Sequence, residues 1–118
     1  GVGLMNEEYF LYYEEIDWFT RAKGRFDLLV AREARLYHRE GGSIGSRSLS
    51  NGPSLLSDLH MFRSRLSFMR RYYPKQLWRC IFFNWVDAGK SLVKGRWRNA
   101  AVIARVNLQG KEVSAPAP

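Results

Sequence analysis

The sequence predicts an α+β fold, mostly helical, in which a short strand pair precedes three helices. Three observations carry that expectation. Residues 26–31, FDLLVA, form a short apolar block of the kind buried in a sheet, and residues 34–38, ARLYH, set Ala34, Leu36 and His38 against Arg35 and Tyr37 with the period of a half-exposed strand. Between Pro53 and Pro74, Leu55, Leu59, Phe62, Leu66, Met69 and Tyr73 recur at alternating spacings of four and three, a one-sided helical stripe. Beyond Pro74 two more apolar segments follow, each long enough for four or more helical turns or close to it.

In chain order, residues 6–13 read either as a short helix or as an extended segment. Residues 14–23 predict a helix: Glu14, Glu15 and Asp17 suit the positive end of its dipole, Arg21 and Lys23 the negative end, and Gly24 is placed to cap it. The two candidate strands come next, then residues 39–54, REGGSIGSRSLSNGPS, a Gly/Ser-rich loop of a length uncommon inside compact domains. Pro53 opens the long helix, whose Arg63, Arg65, Arg70 and Arg71 lie largely off its apolar stripe, and Pro74 closes it. A helix over 76–92 follows, then one from about residue 96 to Gly110 with Trp97, Ala101, Ala104 and Leu108 on one side. The expected organisation is a segment over 1–52, a basic amphipathic helical extension over 53–110 and a disordered tail over 111–118. Two strands do not make a sheet, so they require partners from another polypeptide or from a preceding half, and offer a route to self-association.

Composition narrows the partners. With 118 residues and a net charge of +8, the chain is one domain or part of one and favours an anionic partner: nucleic acid, a lipid headgroup or a phosphorylated ligand. A single cysteine, Cys80, leaves no internal disulfide and points to a reducing compartment, and two histidines do not make a His/Cys zinc cage. GVGLMNEEYF lacks the basic and apolar regions of a secretory leader, so the expected location is cytoplasmic, with a peripheral place at the inner membrane face. Residues 77–93, LWRCIFFNWVDAGKSLV, are interrupted by Arg79, Asn84, Asp87 and Lys90; they are too polar to span a bilayer and aromatic enough to lie on one.

Residues 3–45 carry a more specific pattern. Gly3, Glu7, Tyr9–Phe10, Tyr12, the block Glu14–Glu15–Ile16–Asp17, Arg21, and His38 before Gly41, Gly42 and Ser43 closely resemble the acceptor half of family 2 glycosyltransferases of the GT-A fold, the rhamnosyltransferase-like branch in particular. Arg63–Ser64–Arg65 fits the basic helices such enzymes carry further on. The resemblance implies the C-terminal part of an inverting enzyme that transfers a rhamnose-like or other hexose from a nucleotide-sugar to a glycan or lipid-linked acceptor. The nucleotide-binding half, with its Rossmann-like sheet and Asp-x-Asp motif, has no counterpart: none of Asp17, Asp27, Asp58 and Asp87 stands two residues from another Asp. The chain is therefore expected to be a fragment, inactive alone and a poor binder of nucleotide-sugar.

The resemblance also assigns roles. Inverting transfer needs a base for the acceptor hydroxyl, and a partly desolvated carboxylate among other acids suits that task. The family position falls on Glu15, where Asp is common, with Glu14 as alternate. Glu7, Tyr12, Asp17 and Trp18 are implied in acceptor binding, the aromatics by stacking on sugar rings. His38 is implied as a ligand of a divalent Mn or Mg ion in the full-length enzyme, a metal this chain alone is not expected to hold. Arg39, Ser43 and Arg47 are implied in a loop over the donor diphosphate. For each, an ordinary structural role stands beside the chemical one: an acid-rich first turn, a strand-end histidine, a flexible connector, core aromatics. A second class of function is a basic helical module that binds anionic membrane or nucleic acid. The acids Glu7, Glu8, Glu14, Glu15 and Asp17 argue against nucleic acid, and no nucleic-acid-binding motif is present.

Overall fold

A computed structural model describes residues 1–27, 29–37 and 53–109. These form four α-helices: α1 (Glu14–Ala22), α2 (Leu55–Tyr72), α3 (Leu77–Val93) and α4 (Trp97–Gln109), with a single 3-10 turn at Pro74–Gln76 between α2 and α3. No strand occurs among the described residues.

Helix ends fall where local chemistry puts them. The Ser54 hydroxyl accepts the Ser57 N–H at 3.1 Å and caps α2, with Asp58 in its first turn. Tyr73, held out of helical geometry by the proline after it, ends α2 at φ −136°, ψ 53°. At the end of α3, the Gly95 N–H reaches the Leu92 carbonyl at 2.9 Å and the Arg96 N–H reaches the Ser91 carbonyl at 2.8 Å, a Schellman closure around Gly95 at φ +70°. Gly24, at φ +78°, follows the end of α1.

Helices α2, α3 and α4 pack into a three-helix unit around Phe62, Leu66, Cys80, Ala88, Ile103 and Val106, with Leu59, Met69, Leu77 and Ile81 against them. A polar chain crosses this core. Arg65 Nη1 donates to Asn84 Oδ1 at 2.9 Å, Asn84 Nδ2 donates to Asn107 Oδ1 at 2.9 Å, and Asn107 Nδ2 donates to the Ile81 carbonyl at 3.1 Å. Asn84 is wholly buried, and its satisfied amide fixes the register of the three helices against one another. A second tie joins α4 to the start of α2, where Asn99 Nδ2 donates to Asp58 Oδ2 at 2.7 Å and to the Pro53 carbonyl at 3.0 Å.

The α+β expectation is corrected to an all-α arrangement. The described residues of the two candidate strands, 26–27, 29–31 and 34–37, are exposed and extended or turned without a ladder. Leu29, Val30, Leu36 and Tyr37 stand 83–93% exposed, and the one backbone bond among residues 29–37 is a turn from the Ala34 N–H to the Ala31 carbonyl at 3.2 Å. A strand exists only where a neighbour supplies N–H and C=O partners, and the described residues supply none.

The inward face of α4 also differs from the expected one. Ala100, Ile103, Val106 and Asn107 are buried, while Trp97 and Leu108 are 68% and 66% exposed and Ala101 is exposed. Apolar residues lie on both sides of this helix. The side that can offer Asn107 to Asn84 and Asn99 to Asp58 is the one that packs. On α2, Tyr73 leaves the expected stripe and is 41% exposed, because the chain turns away before Pro74.

Candidate functional site

Glu14, Glu15 and Asp17 lie in the first turn of α1, and the approach to that helix is unusual. Tyr12 and Tyr13 both have left-handed backbones, at φ 63° and 71°. Each such residue costs about 1–2 kcal/mol when it is not glycine. Helix α2 supplies the compensating contacts. The Tyr12 hydroxyl is 2.7 Å from Ser57 Oγ, Ser64 Oγ donates to the Leu11 carbonyl at 2.8 Å, and the Tyr13 ring lies 5.4 Å from that of Phe68. Phe10 stacks at a tilt on His60, 4.8 Å between centroids. The double turn aims the first turn of α1, where the Tyr13 carbonyl accepts the Asp17 N–H at 2.8 Å.

Asp17 is the anchor. It is fully buried; Arg21 Nε donates to its Oδ2 at 2.8 Å and the Tyr72 hydroxyl donates to its Oδ1 at 2.7 Å. Arg21 spends its other nitrogens on the carbonyls of Val2 at 2.6 Å and Leu4 at 2.8 Å, and Trp18 Nε1 donates to the Gly3 carbonyl at 3.0 Å. Arg71 completes the cluster, with Nη2 donating to Glu8 Oε2 at 2.6 Å and Nη1 lying 3.9 Å from Asp17 Oδ1. Tyr9 is buried beside these groups, and its hydroxyl has no hydrogen-bond partner among the described residues. Burial pushes the Tyr9 phenol up to about 12, helped by the Asp17 carboxylate; burial and the hydrogen bond to Asp17 also raise that of Tyr72.

The residues expected in chemistry are therefore sorted by depth. Glu15 is exposed and makes no hydrogen bond or ion pair among the described residues. Glu14 is half-buried, with Oε2 out of contact with water and unpaired. Glu7 is exposed on the preceding loop. Tyr12, Asp17 and Trp18, expected to meet an acceptor, instead carry internal hydrogen bonds; Asp17 in particular has both oxygens taken and no exposed surface, so its observed role is to fix α1. His38, Arg39, Ser43 and Arg47 lie outside the described residues. Among the described residues no group of three or more His, Cys, Asp and Glu side chains converges in a way that fits a metal ion. His38, the ligand that the resemblance implies, is not among the described residues, and no step below runs through a metal ion.

On the other side of α1 the chain is apolar and open. Ile16 and Phe19 are 47% and 46% exposed, and with Ala22 and Phe26 they line a shallow groove to which none of the acids contributes. No protein-family model, curated protein or solved structure matches the chain.

Several structural residues have a role that the sequence pattern did not assign; Arg71 was named only as a basic residue off the α2 stripe. Ser57, Ser64, Tyr72 and Arg71 form a second, polar face of α2 that holds residues 8–17. Their spacing of about a helical repeat is the available signal, masked by the stronger apolar stripe beside it. Asn84 and Asn107, polar residues inside apolar helices, were the visible mark of the buried amide chain.

Proposed function

We propose that this chain supplies the acceptor side and catalytic base of an inverting glycosyltransferase and works with a nucleotide-sugar-binding domain that carries the Asp-x-Asp motif. The observation that supports the proposal most is the state of the acidic block: Asp17 is buried and bonded to Arg21 and Tyr72, and Glu15 is unpaired and open to solvent in the same first turn. A base must be free of internal partners, as Glu15 is; the desolvation that suits the task would come from the acceptor and the partner domain closing over it. The open groove of Ile16, Phe19 and Phe26, with Leu29, Val30 and Leu36 exposed after it, suits the surface on which a sheet-bearing partner would close.

In the proposed step the acceptor hydroxyl oxygen bonds to the anomeric carbon. The bond from that carbon to the diphosphate oxygen breaks, its electron pair leaving with the nucleoside diphosphate. Glu15 takes the hydroxyl proton, and configuration inverts. Glu14, one residue away with an unpaired buried oxygen, is the alternate base.

Two measurements test this. In the protein assembled with its nucleotide-binding domain, Glu15→Gln should lower turnover by about a hundredfold to ten-thousandfold while donor binding survives. Normal turnover in Glu15→Gln together with loss in Glu14→Gln moves the base by one residue; normal turnover in both defeats the base assignment. For the chain alone, titration calorimetry with UDP- and dTDP-sugars and manganese should show no tight binding. A low-micromolar dissociation constant would contradict an acceptor-side role.

A further inference from the structure

Helix α3 is built inside out. Its buried residues are small or polar: Cys80, Asn84, Ala88 and Ser91. Leu77 and Ile81 lie against the core, but its other large apolar residues face outward: Trp78, Phe82, Phe83, Trp85, Leu92 and Val93 are 68%, 58%, 54%, 43%, 58% and 90% exposed. Positions 78, 82, 85, 89, 92 and 93 fall on one face at 3.6 residues per turn, a stripe about 22 Å long. At Gly89, on the same face, nothing among the described residues lies within 4 Å of where a Cβ would stand. A small-residue interior lets α3 sit close to α2 and α4, and the bulky residues are left over for something outside the chain.

We infer that the outward face of α3 is a docking surface for an anionic lipid bilayer, on which the helix lies in the plane of the interface. Charge selects this occupant. Exposed Arg79 and Lys90 flank the stripe, and exposed Lys75 and Lys94 stand just beyond its two ends. The helix holds a single acid, Asp87, already paired with Lys90 at 3.2 Å and Arg65 at 3.4 Å. A second copy of this chain would bring the same basic rows together in a molecule of net charge +8, whereas an anionic headgroup layer neutralises them. Tryptophan at an apolar–polar boundary, with basic residues at the edge, is the composition that suits a headgroup interface. No helix among the described residues is long and apolar enough to cross a membrane, so the contact is in-plane. Of the four arginines of α2, two are engaged within the chain: Arg65 is held by Asn84 and Asp87, and Arg71 by Glu8. The surface is separate from the acidic end of α1 and stands or falls independently of the glycosyl-transfer proposal.

The test is co-sedimentation of the whole chain with vesicles of phosphatidylcholine alone and of phosphatidylcholine mixed with phosphatidylglycerol, with brominated lipids to read tryptophan depth. Pelleting with the anionic vesicles only, reversed by salt, with quenching of tryptophan fluorescence, is expected. Trp78→Asp and Phe82→Asp should each weaken partition by about tenfold or more, from the apolar burial lost. These positions are exposed, so the variants should keep the far-ultraviolet circular dichroism of the wild type. The charge reversal Arg79→Glu with Lys94→Glu provides a second route to the same loss, and Leu4→Asp, an exposed apolar site outside α3, should leave vesicle binding unchanged. Failure of the wild-type chain to pellet with anionic vesicles overturns the proposal. So does equal pelleting with neutral ones, or a stable dimer that Trp78→Asp disperses.

Discussion

Tyr9 shows how much of the architecture rests on single buried groups. Its ring fills space next to Asp17, Arg71 and Tyr72, but its hydroxyl has no partner there among the described residues. A buried, unsatisfied hydroxyl costs more than it returns, so Tyr9→Phe should leave stability unchanged or raise it. The same residue sets an alkaline limit. A phenol held at about 12 in the folded chain and near 10 in the unfolded one keeps its proton longer when folded. Below about 10 it adds no pH dependence, and as pH rises from about 10 through about 12 stability falls, because over that window the unfolded chain binds fewer protons. Tyr72, also raised, acts in the same direction. Urea melts of wild type and Tyr9→Phe between these pH values should therefore show a steeper alkaline loss in the wild type, with Tyr72 leaving a smaller slope in the variant.

The helices differ in what makes them end and in what makes them face inward. Their ends are local. Gly95 turns α3 into α4 with a left-handed backbone and two closing hydrogen bonds, and no atom lies within 4 Å of where its Cβ would be. Gly95→Ala should then cost about 1 kcal/mol through backbone strain alone, with no steric clash. Chemical denaturation should show a lower midpoint at unchanged slope. A loss several times larger would mean that the turn also positions Arg96 and Trp97 against something not yet accounted for. Facing is different: α3 and α4 each carry apolar residues on two sides, and the buried amides of Asn84 and Asn107 pick the side that packs.

At the level of the whole molecule, two packed parts meet along α2. One is the α2–α4 unit with its own apolar core. The other is residues 1–22, tied to α2 by polar and ring contacts centred on Asp17, Arg71, Ser57, Ser64 and Phe68. Asp17→Asn keeps the shape but removes the charge that Arg21 is buried against, at a cost of about 3 kcal/mol. The loss should fall on one part. Hydrogen exchange should speed up in α1 and around Tyr9, while the amides of α2, α3 and α4 that face the core keep their protection. Uniform loss of protection across all four helices would show instead that the chain folds as a single unit.

Caps, prolines, charged first turns and the stripe of α2 act over a few residues, and they are legible in the sequence: helices over 14–22, 55–72, 77–93 and 97–109 lie within a residue or two of where these signals place them. The acidic block was legible too, as a cluster. What no local signal could settle is which of its members turns inward. Asp17 does because Arg21 and Tyr72, one of them 55 residues away, converge on it, and Glu15 is left outside. The residues of 26–37 have strand-like periodicity, yet a strand depends on a neighbour's backbone, and the described residues offer none. Likewise the aromatic residues of α3 resemble core material by type. They stand in solvent because the side of α3 that packs against α2 and α4 is the one carrying Leu77, Cys80, Ile81, Asn84, Ala88 and Ser91. Short-range propensity acts through the bonds of one turn; inward direction and sheet pairing depend on partners distant in the chain, and those enter only when the helices come together.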